Sequence, residues 1–276
     1  MTIAPSPFMR QLIELAHEAG RAVMAVYSRD FDHRMKDDSS PVTDADVESE
    51  AIILAGLERI APDVPVIAEE AAAGGAESIT GEKFFLVDPL DGTREFLSRN
   101  GEFTVNIALI EHGEPVAGVV YAPAIGRMFW GERGHGAGEG SLDPEGDAAA
   151  ALWRPIHVRP RPPGGLKVVA SRSHRDARTE DWLSTIDVGE LVSAGSSLKF
   201  CLLAAGEADL LARGVPEGLG RAGAPVDGAA LDVQHRDGVG ACVHQGPQPG
   251  ALPRPRPGLP PRVRHRHPCR RQHRRS

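Results

Sequence analysis

The apolar positions along the chain keep two different periods. From residue 7 to 28, Leu12, Leu15, Ala16, Ala19, Val23, Val26 and Tyr27 recur at helical spacing, which predicts an amphipathic helix. A polar stretch, KDDSSPVTDAD, separates it from a second helix carrying Ala51, Ile52, Leu54, Ala55, Leu57 and Ile60, which must stop before Pro62. Within that stretch Thr43-x-x-Asp46 resembles a capping box, with Asp in place of the usual Glu. The period then shortens. Val64 to Ala68 and Lys83 to Val87 predict strands that run into Glu69-Glu70 and Asp88. Phe103 to Ile110, Val116 to Tyr121 and Arg127 to Gly131, separated by His112-Gly113 and Pro123, predict an antiparallel meander. Lys167 to Ala170 predicts another strand, Asp176 to Ile186 a helix, and Ser196 opens a helix expected to run to about Leu211.

From about residue 213 neither period persists. Residues 213–276 contain 10 Pro, 10 Gly and 12 Arg but no Phe, Trp, Tyr or Lys, a composition that cannot bury a core. The expected organisation is therefore one mixed α/β domain over 1–211 and a Pro/Gly/Arg-rich, disordered tail over 212–276. Charge divides at the same place. Twelve Arg against four acidic residues give the tail +8, so the remainder carries −15 of the net −7. An acidic body meets an anionic ligand only through metal ions or a local basic pocket. No apolar run reaches the roughly 18–20 residues of a membrane span, and no signal peptide is read at the N-terminus. Cys201, Cys242 and Cys269 form no CxxC pair, which predicts no stable disulfide and suits a reducing cytoplasm.

Candidate chemistry gathers at the strand ends. Glu69 closes one strand, and Asp88 and Asp91, within VDPLDGTREF, close another; Asp44 and Asp46 stand at a helix start. Carboxylates converging on one rim repel one another, and a hard cation relieves that repulsion. With no His or Cys among them, the donor set favours Mg²⁺ over zinc. Gly92-Thr93 follows at once. A glycine lets backbone N–H groups approach a ligand, a helix starting there holds phosphate, and Thr93 adds a hydroxyl. Metal on one side and donors on the other suit hydrolysis of a phosphate ester.

SPVTDAD, VIAEE and LVDPLDGTREF together resemble the lithium-sensitive, magnesium-dependent phosphatases of the inositol monophosphatase superfamily. The block DPLDGTREFLSRNGEFTVNIALIEHGEPVAGVVYAP, with VVASRSHRD and SAGSSLKFCLLAAGEADL, is similar to the bacterial 3′(2′),5′-bisphosphate nucleotidases within it. The resemblance spans about residues 8–211 and implies an αβαβα layered sandwich, α+β in class. It implies that Glu69, Asp88, Asp91 and the Leu90 carbonyl ligate Mg²⁺. Gly92 and Thr93 would bind phosphate, Glu69 and Thr93 would position the attacking water, and Asp46 would stand behind them or touch an extra metal. Ser171, Ser173, His174 and Gly195 to Lys199 match the nucleotide side, where Lys199 and His174 suit a second phosphate and Ser196 and Ser197 cap a helix over it. Cys201 is expected in the core. The implied reaction is adenosine 3′,5′-bisphosphate plus water giving AMP plus phosphate, by in-line attack without a covalent intermediate. The resemblance also implies the 5′-phosphosulfate analogue as a further substrate and sulfur assimilation as the setting.

One family motif is missing. After GEADL the family carries Trp-Asp-x-Ala-Ala, whose Asp completes the metal site, whereas no Trp follows Trp182 here. Val226-Asp227-Gly228-Ala229-Ala230 keeps D-x-A-A, about six residues too far on, and makes Asp227 the candidate. Arg, Pro, Gly and Ala share GC-rich codons, which suggests the hypothesis of a frameshift near Leu211; a chain damaged in this way would be unstable and weakly active or inactive, and a W-D-x-A-A motif absent from both other reading frames downstream would sink the idea. Three other readings stand beside the nucleotidase: an inositol-phosphate or sugar-phosphate phosphatase, an inactive remnant, and a nucleic-acid binder. The last is disfavoured because the Arg-rich tail lacks interleaved aromatics. Attachment at the inner membrane face and the oligomeric state stay open.

Overall fold

In a computed structural model the described residues are 2–29, 33–35, 41–69, 82–171 and 177–212. Helix α1, Pro7–Tyr27, starts where Ser6 accepts a hydrogen bond from the Met9 amide at 3.0 Å and Pro7 occupies the first turn. Its stripe of Met9, Leu12, Ala16, Ala19, Val23 and Val26 is fully buried. A small hairpin of β1, His33–Met35, and β2, Pro41–Thr43, leads into α2, Asp44–Ile60. The Thr43 side chain, and with it the expected capping box, lies outside the described residues.

A seven-stranded sheet then follows in chain order: β3 (Val66–Ala68), β4 (Lys83–Asp91), β5 (Thr104–Glu111), β6 (Glu114–Ala122), β7 (Arg127–Glu132), β8 (Gly136–Ser141) and β9 (Arg154–Pro155). Only the β3–β4 pair is parallel; the rest is the expected meander, extended at both ends. A short helix α3, Thr93–Leu97, interrupts it between β4 and β5. A second sheet, in the order β11-β10-β12, is parallel and combines β10 (Leu166–Ser171), β11 (Val188–Ala194) and β12 (Leu210–Ala212). Helix α4, Ala177–Leu183, precedes β11, and α5, Leu198–Ala204, precedes β12.

The period-2 rule orders these pieces into layers. Val105, Ile107 and Leu109 of β5, with Val119 and Tyr121 of β6, share one core with α1 and α2. Their alternates Ala108, Ile110, Val120 and Ala122 pack on Leu198 and Cys201 of α5. Leu202 of α5 also reaches Val169 and Ala194 of the small sheet, whose other face, Val168 and Ala170, covers Leu183 of α4. The architecture is therefore α-β-α-β-α, and the central strands β5 and β6 are covered on both faces, which is why they read as nearly unbroken apolar runs.

Three expectations need correction. The helix opened near Ser196 ends at Ala204: Gly206 turns left-handed (φ +70°), Glu207 donates back to the Leu202 carbonyl at 2.9 Å, and Leu210–Ala212 is a strand. Strand β8 was not read because of its glycines. A Cβ on Gly138 would stand 2.8 Å from the Trp130 ring, and one on Gly140 2.8 Å from Trp153. Strand β11, with Gly189, Glu190 and Ser193 among its residues, carries no apolar alternation. The expected tail, 212–276, lies outside the described residues apart from Ala212, which belongs to β12.

Candidate active site

The acidic residues meet at the carboxyl ends of the parallel pair β3–β4. Register pairs Ala68 with Val87, so Glu69 and Asp88, the next residue on each strand, are neighbours. Asp88 is buried, 6 % exposed, and a register shift between Asp88 and Asp91 turns the second aspartate onto the same rim. Helix α2 braces this bulge: Ser49, fully buried, donates to the Pro89 carbonyl at 3.0 Å. Asp46, 2 % exposed, lies in the first turn of α2, one turn before Ser49.

The local electrostatics are those of anions short of a cation. Burial, then the charges of Asp91 and Glu69 and a hydrogen bond with Glu69, push Asp88 well above the ordinary carboxylate range. The Leu90 amide, donating to Asp88 Oδ1 at 3.2 Å, opposes this only in part. Burial also raises Asp91, while the Ser197 hydroxyl, the Lys199 ammonium and Asn106 pull it back down. No three acidic, histidine or cysteine side chains among the described residues close around a point as a ready cage. Magnesium asks for less, since it keeps several waters and takes one or two carboxylates plus substrate phosphate. Three carboxylates in one field, with no imidazole or thiolate, fit that ion.

Beyond Asp91 the chain turns sharply. Gly92 adopts φ +92° as the residue before α3, and the Phe96 amide donates to its carbonyl at 2.9 Å. The Thr93 hydroxyl lies 3.5 Å from the Leu90 carbonyl. With only five residues α3 has little dipole, so an anion there would rely on individual amides and the hydroxyl. The helix is fixed from below, where the Phe96 ring meets Tyr27 at a tilt and Phe103 edge to face, with centroids 5.1 Å apart in each pair.

The other wall comes from the second sheet. Ser171 ends β10 opposite Ala194, the last residue of β11, and the turn Gly195-Ser196-Ser197 follows. Gly195 donates to Glu102 Oε2 at 2.8 Å, and Lys199 Nζ donates to the Ser196 carbonyl at 2.6 Å. The two serines do not act as a pair of helix caps. Ser196, at φ +45°, accepts from the Leu198 amide at 3.3 Å, while Ser197 makes no capping bond and donates instead to Asp91 Oδ2 at 2.6 Å. Lys199 likewise lies close enough to Asp91 to act on it, so α5 addresses the acidic rim directly. Cys201 is buried in the same helix, where the sequence placed it in the core. Ser173, His174 and Asp227 fall outside the described residues.

Asn106 was missed. It is fully buried on β5, opposite Asp88 in register, with its amide 3.1 Å from Ser197 Oγ and 3.5 Å from Asp91 Oδ2. The available signal was an Asn inside the apolar run Phe103 to Ile110, where a carboxamide is costly unless it is bonded.

Comparison with known proteins bears on this geometry. The sequence pattern described as the inositol monophosphatase family matches residues 4–233. The chain belongs to the inositol monophosphatase family. Enzymes of the inositol monophosphatase family are metal-dependent phosphatases. The chain is 46 % identical over 206 residues to the 3′(2′),5′-bisphosphate nucleotidases CysQ of Shigella flexneri and of Escherichia coli strain K12, covering 74 % of this chain and 79 % of each relative. Among solved structures, CysQ from Bacteroides thetaiotaomicron, described as a bacterial member of the family, superposes with a TM-score of 0.58 at 32 % identity, covering 72 % of this chain and 76 % of that one. The extragenic suppressor protein SuhB from Bartonella henselae gives 0.60 at 27 % identity, with 74 % and 76 % covered. Among the described residues no helix is long and apolar enough to cross a membrane.

Proposed function

We propose that this protein is a magnesium-dependent 3′(2′),5′-bisphosphate nucleotidase that hydrolyses adenosine 3′,5′-bisphosphate to AMP and phosphate, and that its setting is cytoplasmic sulfur assimilation. One observation carries the reading: the chain is 46 % identical over 206 residues to CysQ nucleotidases, and the family pattern over residues 4–233 takes in both the acidic β3–β4 rim and the turn before α5. Glu69, Asp88, Asp91 and the Leu90 carbonyl would hold the ion, with Asp227 as the candidate for the ligand that the family's second motif supplies. When bound, the ion polarises the phosphoryl group and offsets the charge gathering on it.

The chain's own groups do the rest. Gly92 and Thr93 orient the 3′-phosphate against the rim. A Glu69 carboxylate oxygen accepts the proton of the attacking water, with the Thr93 hydroxyl holding that water in line. The water oxygen bonds to phosphorus, the P–O3′ bond breaks, and the departing 3′-oxygen takes a proton from solvent water, so no covalent enzyme intermediate is needed. Lys199, Ser171 and Ser196 form the nucleotide side, with His174 the sequence's candidate partner for a second phosphate, which would select a bisphosphate over a simple sugar phosphate. Phosphate release from adenosine 3′,5′-bisphosphate, its 5′-phosphosulfate analogue and inositol 1-phosphate, with Mg²⁺ or EDTA and with or without Li⁺, tests this. Mg²⁺-dependent, Li⁺-inhibited release that prefers the bisphosphate is expected. Preference for inositol 1-phosphate would transfer the reading to a sugar-phosphate phosphatase, and no release from any ester would favour the inactive remnant.

A further inference from the structure

We propose that Ser197 is a positioning residue for the metal site: backed by Asn106, its hydroxyl fixes the Asp91 carboxylate, and it acts through Asp91 instead of on the nucleotide. The inference rests on the reading of Asp91 as a Mg²⁺ ligand. A serine hydroxyl has one proton to give, and here it goes to Asp91 Oδ2 at 2.6 Å. Its lone pair is taken by the Asn106 amide at 3.1 Å, and the same amide lies 3.5 Å from Oδ2. Both side-chain contacts therefore fall on one carboxylate oxygen, and the Ser197 backbone amide acts on the same carboxylate, so that the 197 position fixes its orientation. Ser197 is 3 % exposed, which suits a brace better than a substrate contact, and it makes no helix-capping bond that would explain it structurally.

Two further observations mark a polar layer behind the acids. On β5, register sets Asn106 opposite Asp88 and Thr104 opposite Asp91. Both are fully buried, and Asn106 Oδ1 and Thr104 Oγ1 have no hydrogen-bond partner among the described residues. Buried polar atoms left unpaired are costly, and they are retained where a site needs them. The turn that presents Ser197 is itself clamped. Ser196 is held at φ +45°, a conformation costly for a residue with a side chain, by the Leu198 and Lys199 bonds, and Gly195 is tied to Glu102. The second sheet thus sets the geometry of a ligand carried by the first.

The test is Ser197→Ala in the full chain, titrated with MgCl₂ by calorimetry without nucleotide. Loss of an orienting partner weakens metal binding by about 10–100-fold. KM for adenosine 3′,5′-bisphosphate at saturating Mg²⁺ should stay within about threefold, and Ser197→Thr, which keeps the hydroxyl, should recover Mg²⁺ affinity. Asn106→Ser removes the backing amide without touching the turn and should weaken Mg²⁺ in the same direction. Unchanged Mg²⁺ affinity there overturns the inference even if Ser197→Ala is too unstable to titrate. Unchanged Mg²⁺ affinity with a raised KM in Ser197→Ala overturns it in favour of a substrate contact. A wild-type chain that takes up no Mg²⁺ removes the metal reading and the inference together. One that binds Mg²⁺ but cleaves no nucleotide refutes only the substrate assignment, and the Mg²⁺ titrations still decide.

Discussion

Gly195→Ala should damage this site without altering any group that touches substrate. A Cβ at Gly195 would stand 2.4 Å from Glu95 Cγ, and 2.9 Å from both Glu95 Cδ and the Glu102 carbonyl oxygen. Ordinary contacts begin near 3.4 Å, so something must withdraw by about 1 Å. The Glu102 carbonyl is backbone and Glu95 is only 7 % exposed, so the turn is the part free to move. A 1 Å retreat takes the 2.6 Å Ser197–Asp91 bond past hydrogen-bond range. Overpacking of this kind costs about 1–3 kcal/mol, or about 2–12 °C in Tm for a domain of this size. A misplacement of about 1 Å at an active site can cost about 100-fold in kcat. The assays are thermal melts in EDTA and Mg²⁺-dependent phosphate release, both relative to the wild-type chain. Gly164→Ala, where a Cβ meets nothing within 4 Å, is the control and should change neither. A Gly195→Ala protein with wild-type Tm and Mg²⁺ response would refute the reasoning, because it would mean that Glu95 swings aside and the turn is not clamped.

Asp88→Asn should raise Tm in EDTA, since it removes a buried charge facing Asp91 and Glu69, yet it should abolish the stabilisation that Mg²⁺ gives the wild type; a Tm that falls in EDTA would contradict the charge-repulsion account. Asp209→Asn removes a carboxylate, 4 % exposed, that accepts from Arg159 at 2.5 and 2.6 Å and from the Lys167 amide at 2.7 Å. Allowing for the partly exposed Arg159, it should cost about 1–2 kcal/mol near neutral pH. Its hydrogen bonds to Arg159 hold the Asp209 pKa below the ordinary value, so that stability is complete above pH ~4 and is lost as pH falls through the folded pKa. Melts of the two proteins should therefore converge in acid, and a gap that persists there would assign the loss to packing. Arg127→Ala breaks the contacts to Glu139 and to both oxygens of Glu207, as well as the stacking on Phe129, and should lower stability by about 2–3 kcal/mol in denaturant titrations; a loss below about 0.5 kcal/mol would make the network ornamental.

What could be read from the sequence follows from where the information sits. The α1 stripe, the meander and the Glu69–Asp88–Asp91 rim are local: each is a period or a strand end whose meaning needs only its neighbours. The site's second wall is not. Ser197 looked like a helix cap because Ser before an apolar helical run usually is one, and only the packing of α5 against β5 turns its hydroxyl toward Asp91. Asn106 was hidden inside an apolar run for the same reason, its partner lying 91 residues away. Strand β8 shows the converse. Its glycines signal a broken element locally, yet they are the condition for two tryptophans to pack across it.

The layer order also explains why the site must be built late. Asp91 and Glu69 stand at the edge of the first sheet, Ser171 and the 195–197 turn at that of the second, and α5 packs between them, through Leu198 and Cys201 on one side and Leu202 on the other. The rim, with Asn106 behind it, can form from residues 44–111, but Asp91 gains its hydroxyl and ammonium neighbours, Ser197 and Lys199, only when α5 docks. Until then the three carboxylates face one another with less to offset them, and Mg²⁺ would do most for stability at that stage. Weakening α5 docking away from the rim, by Leu202→Ala, should therefore increase the Tm gain that Mg²⁺ produces while lowering Tm in EDTA. An unchanged gain would mean that rim and second wall are energetically independent.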